Sequence, residues 1–373
     1  MNAHVEILPV HTRRDLKRFV RLPWSIYRGD PHWVPPLRRD VEHMFARDEY
    51  PFYEHSEVEA FLAQRDGRPV GRIAAIRNRN HEAHQGEPVG FFGFFETEND
   101  PELAGALLDT AAAWLRERGL KTMRGPTNFS TNDTAGLLIE GFDGPPMVMM
   151  AYNPPYYVEL LESYGFTPAK TLLAYVITEQ EPPAYLVRAA GVVRRRTGIR
   201  VRPIRKSDFD RELKTIRRIY NEAWERNWGF VPMTDAEFAF MAKELKPIVD
   251  PNLALIAETP EGEPAGFVLA LPDFNQVLIH MNGRLFPFGL LKALWYQRKI
   301  HQMRVVTLGV LEEFRGKGID ALLYLQIIRN GAARGVTLAE QSWVLEDNEK
   351  MRSPIERLGG RAYRRYRLYD VAL

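Results

Sequence analysis

The chain has 373 residues, enough for two or three domains with a sizeable buried core. Lys and Arg total 50 against 48 Asp and Glu, and a net charge of +2 gives no reason to expect a nucleic-acid partner. The 45% apolar and 26% charged content excludes disorder as the main state, and zero cysteines exclude disulfides, thiolate catalysis and Cys-based zinc or iron–sulfur sites.

The first half of the chain predicts a mixed series of strands and helices. Asn99 or Asp100 is a candidate helix cap before Pro101, and Gly119 ends the same helix. The predicted helices are Arg13–Tyr27, Glu102–Arg118 and Tyr156–Tyr164. The predicted strands are Val5–Val10, Glu57–Arg65, Pro69–Arg77, Val89–Glu96, Lys121–Gly125 and Thr171–Thr178.

The second half repeats this order after a connector that contains Pro182, Pro183 and a basic run over Val192–Lys206. The basic run is either a solvated linker or a contact for anionic lipid or phosphate. The predicted helices are Asp208–Asn227, Asp235–Leu245, Ile319–Arg334 and Lys350–Leu358. The predicted strands are Ile199–Ile204, Leu253–Glu258, Ala265–Leu271, Val305–Val310, Val336–Leu345 and Ala362–Tyr369. The repeated order predicts a duplicated mixed α/β fold, with units 1–178 and 199–373 and a connector 179–198.

The segment from Val305 to Asp320 predicts a phosphate-binding turn. An apolar strand runs into a glycine-rich turn that leads directly into a helix, where unpaired backbone N–H groups favour an anion. Arg315 and Lys317 add positive charge. The glycine spacing matches neither a Walker A loop nor a dinucleotide-binding fingerprint, and the alternative is a charged surface turn.

Here the sequence resembles the GNAT superfamily of acyl-CoA N-acyltransferases. Arg315-x-x-Gly318 after a strand resembles motif A of that superfamily, whose amides bind the CoA pyrophosphate. Asn348, followed by Met351, Ile355 and Gly359-Gly360 at the superfamily's spacing, resembles its motif B. The sequence departs from the motifs at Asp320, where glycine or alanine is usual, and at Ile355, where a tyrosine often protonates the thiolate. The resemblance implies binding of acyl-CoA, either acetyl-CoA or a long-chain acyl-CoA, by Leu308, Val310, Arg315, Gly316, Lys317, Gly318, Ile319, Asp320 and Asn348.

The first half also carries a motif B-like segment, Asn153 to Phe166, but its loop Thr97–Glu102 has three acids, no glycine and no cation. Such a loop repels a pyrophosphate, so this half is predicted to be a degenerate unit without CoA. The whole chain therefore resembles a bacterial group of two-unit GNAT-like proteins, and bacterial ceramide synthases are placed near that group. The predicted fold class is a mixed-sheet α/β fold with tandem duplicated GNAT-like units.

Candidate catalytic residues lie on the strand after the CoA helix. Glu340 and Ser342 share one face by strand alternation, and a glutamate in an apolar strand is costly unless it is paired or used. Glu340 is the candidate general base that deprotonates the acceptor ammonium. The alternative is a core glutamate bonded to an arginine such as Arg367. Backbone N–H groups near Gly309 and Val310 would meet the oxyanion, as in the superfamily.

A polar loop between Gly125 and Gly136 is the candidate acceptor-binding wall. Its predicted substrate-binding residues are Asn128, Ser130, Asn132 and Asp133, with Asp133 facing the ammonium. Alternatively, these side chains only hold the loop together through Asx turns. The acceptor is expected between the two units.

The remaining features bear on partners and location. Leu285–Ile300 begins with apolar and aromatic residues and ends with basic ones. It is predicted to be a helix packed on the sheet, or alternatively to form an acyl tunnel or to lie at a lipid interface. His81 and His84 read as a surface turn, and the isolated histidines predict no metal site. Without a signal peptide or an apolar run of about 18 residues, a cytoplasmic protein is expected, with contact to the inner membrane surface left open.

The leading hypothesis is an acyl-CoA-dependent N-acyltransferase that moves a long acyl chain to a lipid-like amine such as a sphingoid base. A small-molecule N-acetyltransferase and a non-catalytic acyl-CoA-binding protein are the alternatives. The expected partner is therefore a small-molecule or lipid amine, and the oligomeric state is left open.

Overall fold

The computed structural model describes residues 5–225 and 227–373, which form two compact units. The N-terminal unit extends to Leu172 and also contains Leu278–Ala293 and Arg364–Leu373. The C-terminal unit contains Leu173–Val277 and Leu294–Tyr363, so the predicted connector 179–198 lies within it. Compact units need not be domains that fold independently. The predicted division of the chain into domains 1–178 and 199–373 therefore remains a prediction.

The N-terminal unit is built on strands that pair in chain order. Its helices are α1 (Arg13–Arg21), α2 (Pro23–Ile26), α3 (Arg38–Met44), α4 (Arg79–Gln85), α5 (Pro101–Arg116) and α6 (Tyr157–Tyr164). Its strands are β1 (Val5–Pro9), β2 (Ser56–Arg65), β3 (Arg68–Asn78), β4 (Val89–Thr97), β5 (Thr122–Gly125), β6 (Thr127–Asn128), β7 (Thr134–Ala135) and β8 (Leu137–Glu140). Strands β1 to β4 are antiparallel, and β4 pairs parallel with β5.

The predicted helix Arg13–Tyr27 is divided in the structure. Pro23 has no backbone N–H to continue the ladder, so α1 ends at Arg21 and α2 begins at Pro23. The apolar side of α5 is buried against the sheet and α6, as its helical spacing predicts.

The C-terminal unit follows the same order. The strand β9 (Thr167–Ile177) runs into it from the N-terminal unit. Its further helices are α7 (Ala184–Thr197), α8 (Phe209–Trp224), α9 (Asp235–Leu245), α10 (Asn275–Leu278), α12 (Ile319–Ala333) and α13 (Glu349–Arg357). Helix α11 (Gly289–Tyr296) begins in the Leu278–Ala293 segment of the N-terminal unit and ends in the C-terminal unit. Its further strands are β10 (Arg200–Pro203), β11 (Ala254–Glu258), β12 (Pro264–Pro272), β13 (Gln302–Val310), β14 (Leu338–Leu345) and β15 (Arg361–Ala372), which ends in the N-terminal unit.

Strands β10 to β13 are antiparallel, and β13 pairs parallel with β14. Helix α12 covers one face of these strands through Leu323 and Ile327, and α8 covers the other through Ile219. The four antiparallel strands and the parallel crossover therefore occur once in each unit, which confirms the predicted mixed α/β duplication.

Candidate active site

The paired strands β13 and β14 separate at the candidate site. Their parallel ladder joins Gln302–Val305 to Leu338–Gln341 and ends there, although β13 continues to Val310 and β14 to Leu345. A register shift between β12 and β13 lies at the same level, next to Val305. Backbone N–H and C=O groups need partners when buried, so this opening suits a ligand with amide groups of its own.

The glycine-rich turn lies between β13 and α12. Gly316 and Gly318 have φ values of +73° and +81°, the left-handed region that favours glycine. Gly318 caps α12, and within the described residues no side chain caps this helix start. Ile319 and Asp320 follow as the first helical residues, whose backbone N–H groups have no intrahelical acceptor. This helix start is therefore open to an anion.

The charged residues of the turn have different surroundings. Lys317 is exposed, with its ammonium 4.9 Å from the Phe314 ring. The Arg315 guanidinium instead donates to the carbonyls of Val310 (3.3 Å) and Ala223 (3.2 Å), so it braces the turn against β13 and α8. Asp320 is half-buried in the first turn of α12, where a carboxylate favours the helix dipole but disfavours a second anion.

The equivalent helix start in the N-terminal unit is already occupied. The Asp100 carboxylate accepts hydrogen bonds from the amides of Glu102 (3.1 Å) and Leu103 (3.2 Å), and Arg65 donates to it at 2.5 Å. Burial raises the pKa of Asp100, but the hydrogen bonds from Leu103 and Arg65 outweigh burial and hold it below its ordinary value. A protein carboxylate therefore takes the position that a phosphate would need.

The opening between β4 and β5 is also filled. Their parallel ladder covers only Val89–Phe91, and β6 follows at that point. The Asn128 side chain accepts a hydrogen bond from the Phe94 amide at 2.7 Å, and a Cβ at Gly93 would lie 1.7 Å from the Thr127 carbonyl oxygen. The chain itself thus occupies the space that is open in the C-terminal unit.

The predicted substrate loop holds itself together. Ser130 donates to the Asp133 carboxylate at 3.0 Å, and the Asn132 amide donates to the Ser130 hydroxyl at 3.1 Å. With Asn128 bonded to Phe94, each predicted residue has a local structural contact. Their role in acceptor binding stays a prediction.

The structure brings Glu340 and Ser342 together in a buried network. The Ser342 hydroxyl donates to Glu340 at 2.6 Å, and Arg304 Nε donates to the same hydroxyl at 2.9 Å. Arg304 lies 3.7 Å from the Glu340 carboxylate, and Tyr363 donates its hydroxyl to the other carboxylate oxygen. Glu340 and Arg304 are buried, whereas Tyr363 is half-buried, so Tyr363 connects the carboxylate to a more accessible surface.

Sequence reasoning missed Arg304 and Tyr363. Arg304 is a lone cation in an apolar strand, directly opposite Glu340 in the parallel register, and that signal was available. Tyr363 gives no such signal, because its contact with Glu340 depends on how distant strands pair. The alternative of a core glutamate paired with an arginine also fits, with Arg304 in place of Arg367, which instead lies 3.8 Å from Glu162.

Motif B residues have structural positions in the C-terminal unit. The Asn348 side chain caps α13 by accepting the Met351 amide at 3.2 Å. Ile355 is fully buried beside Tyr175, whose hydroxyl donates to Glu356 at 2.9 Å. The roles predicted for all the site residues remain predictions.

An apolar groove lies along the last turns of α12 and the paired part of β13 and β14, and it extends to Val305 and Gln341, where the ladder ends. Gln341 donates to the Tyr324 hydroxyl at 2.7 Å at the border of the groove. Burial raises the pKa of Tyr324 to about 12, so this phenol is neutral. The groove is lined mainly by aliphatic residues of α12, β13 and β14, among them Val305, Ile327, Ile328, Ala332, Leu338 and Ala339.

Comparison with known proteins agrees with this description. No family model matches the sequence. The chain is 37% identical to protein YghO of Escherichia coli K12, over 96% of this chain and 93% of that protein. It is 36% identical to the bacterial ceramide synthase of Caulobacter vibrioides, over 100% of this chain and 98% of that protein.

Solved structures show the same fold. A tandem GNAT protein from the clavulanic acid biosynthesis pathway matches with a TM-score of 0.60 and 14% identity, over 99% of this chain and 98% of that one. A GCN5-related N-acetyltransferase from Sphaerobacter thermophilus matches with a TM-score of 0.56 and 16% identity, over 99% and 95% of the two chains. The predicted tandem GNAT-like fold is confirmed.

Proposed function

The chain belongs to the family that includes the bacterial ceramide synthase of Caulobacter vibrioides and has the fold of tandem GNAT proteins, and from this premise we propose that it transfers a long acyl chain to a lipid-like amine. Acyl-CoA supplies the activated thioester. The observation that carries the proposal is the contrast between the units: the helix start and strand opening are free in the C-terminal unit and filled in the N-terminal one.

The C-terminal unit has the groups that CoA needs. The amides of Ile319 and Asp320 with the Lys317 ammonium would hold the pyrophosphate. Leu308 and Val310 lie on β13 beyond the end of its ladder with β14, and their amide N–H groups would hydrogen-bond the pantetheine arm. Arg315, Gly316 and Gly318 shape the turn, and Asn348 orders the start of α13.

The buried network supplies a path for the proton of the acceptor ammonium. Tyr363 donates to Glu340, so it can take a proton from the amine on its accessible side as its own proton passes to the carboxylate. Ser342 and Arg304 hold that carboxylate in place and stabilise its charge before transfer. The neutral amine is then the nucleophile that attacks the thioester.

The acyl chain is proposed to be long for two reasons. The groove along the end of α12, which meets the strand opening at Val305 and Gln341, is lined by aliphatic side chains, which favour a hydrocarbon chain. A full-length relative at 36% identity bears the name bacterial ceramide synthase, which supports a lipid amine such as a sphingoid base as acceptor.

A transfer assay tests the proposal. The full chain is incubated with palmitoyl-CoA or acetyl-CoA and either a sphingoid base or a small primary amine, and the amide product is measured by mass spectrometry. We expect the palmitoyl amide of the sphingoid base to form fastest. Preferred acetyl transfer to the small amine would contradict the long-chain proposal and support a small-molecule acetyltransferase.

The same assay tests the proton path. Tyr363→Phe should lower kcat about tenfold to a hundredfold and change its pH profile, because the link to Glu340 is removed. Tyr175→Phe is the matched control, since this tyrosine of the same unit also bonds a glutamate, Glu356, outside the network. Equal activity of the two variants would exclude Tyr363 from proton transfer.

A further inference from the structure

Six large apolar side chains are exposed within ten residues around α11, and we call them the apolar tip. Their exposed fractions are 75% for Phe286, 66% for Phe288, 51% for Leu290, 63% for Leu291, 51% for Leu294 and 62% for Trp295. Isolated exposed apolar residues are ordinary on protein surfaces, but a contiguous group of this size marks an interaction site.

The surrounding sequence has one sign of charge. No Asp or Glu occurs between Asp273 and Glu312, although acids make up 48 of the 373 residues. The same stretch contains Arg284, Lys292, Arg298 and Lys299, besides Arg304, which is buried next to Glu340. The Lys299 ammonium lies 5.2 Å from the Trp295 ring, so positive charge directly borders the apolar tip. An aromatic and aliphatic surface edged by cations is typical of segments that bind an anionic membrane surface.

The apolar tip is carried on a fixed base. Trp24 Nε1 donates to the Asn282 side chain at 2.6 Å, and the Arg38 amide donates to the Gly283 carbonyl at 3.2 Å. Gly283 has φ +68°, and a Cβ there would lie 2.3 Å from the Trp24 ring. The segment is therefore packed closely at its base. The exposure of its apolar side chains does not result from poor packing of the segment against the protein.

Three arginines of the N-terminal unit interact electrostatically beside this base, and we call Arg21, Arg38 and Arg284 the arginine cluster. Burial, and then the neighbouring charges of Arg284 and Arg21, lower the pKa of Arg38. Arg38 Nε is buried without a hydrogen-bond partner among residues 5–225 and 227–373, and its guanidinium lies 4.2 Å from the Trp24 ring. The charge of Glu42 partly opposes that of Arg284 and Arg21, so the arginine cluster keeps an excess of positive charge, which together with the unpartnered Arg38 donor favours a phosphate as ligand.

We propose that the apolar tip inserts into the interfacial region of an anionic phospholipid bilayer while the arginine cluster contacts headgroup phosphates. A bilayer surface supplies hydrocarbon and phosphate side by side, as this surface requires. A second copy of the chain would bring the same positive charges against each other. No helix in the described part of the chain is long and apolar enough to cross a bilayer, so binding would be at the surface.

Vesicle flotation tests this inference without any acyl transfer, so its failure is distinguishable from failure of the proposed function. The full chain is floated with phosphatidylcholine vesicles containing 30% phosphatidylglycerol, and with pure phosphatidylcholine vesicles. We expect strong binding to the anionic vesicles only. Phe286→Ser/Phe288→Ser/Leu291→Ser should lower the partition coefficient at least about tenfold. Arg284→Gln should lower the partition coefficient about fivefold, because an arginine near an anionic surface raises the partition coefficient by about that factor.

Val187→Ser/Val192→Ser is the matched control, because these valines of α7 are also exposed, at 37% and 52%, and lie outside the apolar tip. It should bind vesicles like the unchanged chain, and circular dichroism should show that every variant is folded. Absence of vesicle binding, or equal binding by the triple variant, would overturn the proposal. So would sedimentation of the unchanged chain as a dimer that the triple variant converts to a monomer.

Discussion

Two aspartates near helix starts have opposite consequences for anion binding. Asp100 is the cap of α5, and its carboxylate takes the amides of Glu102 and Leu103. Asp320 lies two residues after the cap Gly318, so it adds negative charge near the open amides of α12 without covering them. Position within the first turn, more than residue type, decides whether the helix start can bind a phosphate.

Replacement of Asp320 by asparagine should tighten CoA binding. We expect about a threefold lower Kd, because a negative charge next to the pyrophosphate is removed. We also expect the free energy of unfolding to fall by about 0.5 kcal/mol, because the favourable interaction of the carboxylate with the helix dipole is lost. Calorimetric titration and thermal unfolding measure the two effects. Asp100→Asn is the control and should leave CoA affinity unchanged. Weaker binding by Asp320→Asn would show that this carboxylate assists the ligand.

A buried histidine makes stability depend on pH. His81 was expected in a surface turn, but its side chain is buried against Phe91, with ring centroids 4.8 Å apart, while His84 is exposed. Burial, and then the charge of Arg124, lower the pKa of His81 to about 4. The unfolded chain binds this proton more tightly, so stability is fully present above about pH 6.5 and falls between 6.5 and 4, by about 3 kcal/mol in total.

Urea unfolding between pH 7 and pH 4 measures this dependence. His81→Phe should flatten the pH dependence, since the ring packing is kept and the titrating group is removed. His84→Asn should leave the pH dependence as it is in the unchanged chain. An equally steep loss of stability in His81→Phe would assign the effect to other groups.

At the scale of elements, α12 has two functional ends. Its start carries the open amides, and its last turns line the aliphatic groove with β13 and β14. The sequence predicted this helix and both strands because a helical apolar pattern lies between two apolar runs. It could not predict where β13 and β14 separate, since that point depends on the pairing of strands that are distant in sequence.

A bulky residue in the groove should discriminate between acyl chains. Ala332→Phe should weaken palmitoyl-CoA binding about tenfold, because the larger side chain would displace about two methylene groups of the acyl chain from the groove. It should leave acetyl-CoA binding unchanged, because the acetyl group does not reach the groove. Ala333→Phe is the control, as the adjacent residue is also exposed and does not line the groove. Competition titrations with both thioesters give the two affinities. Equal loss for both thioesters would place the acyl chain elsewhere.

The sequence predicted part of the candidate site at the same scale. Strand alternation placed Glu340 and Ser342 on one face, and the structure joins them by a hydrogen bond of 2.6 Å. Arg304 could have been identified as a lone cation in an apolar strand, whereas Tyr363 was missed because its contact with Glu340 depends on how strands distant in sequence pair. The predicted helix Arg13–Tyr27 failed at Pro23, where the backbone donor is lost.

At the scale of the whole molecule, a duplicated topology has diverged at its two helix starts. Each unit has antiparallel strands followed by one parallel crossover, and the repeated order of predicted elements was sufficient to reveal it. The acidic loop Thr97–Glu102 predicts that the N-terminal unit does not bind CoA, since this loop has three acids and no glycine. One CoA site per chain is therefore expected.

Calorimetric titration of the full chain with CoA tests that expectation most directly. We predict one site per chain, abolished or weakened at least about tenfold by Lys317→Glu, because the charge beside the pyrophosphate is reversed. Arg329→Glu, a reversal at an exposed position further along α12, should bind CoA normally. Two sites per chain, no binding, or equal binding by both variants would contradict the assignment of acyl-CoA to the C-terminal unit.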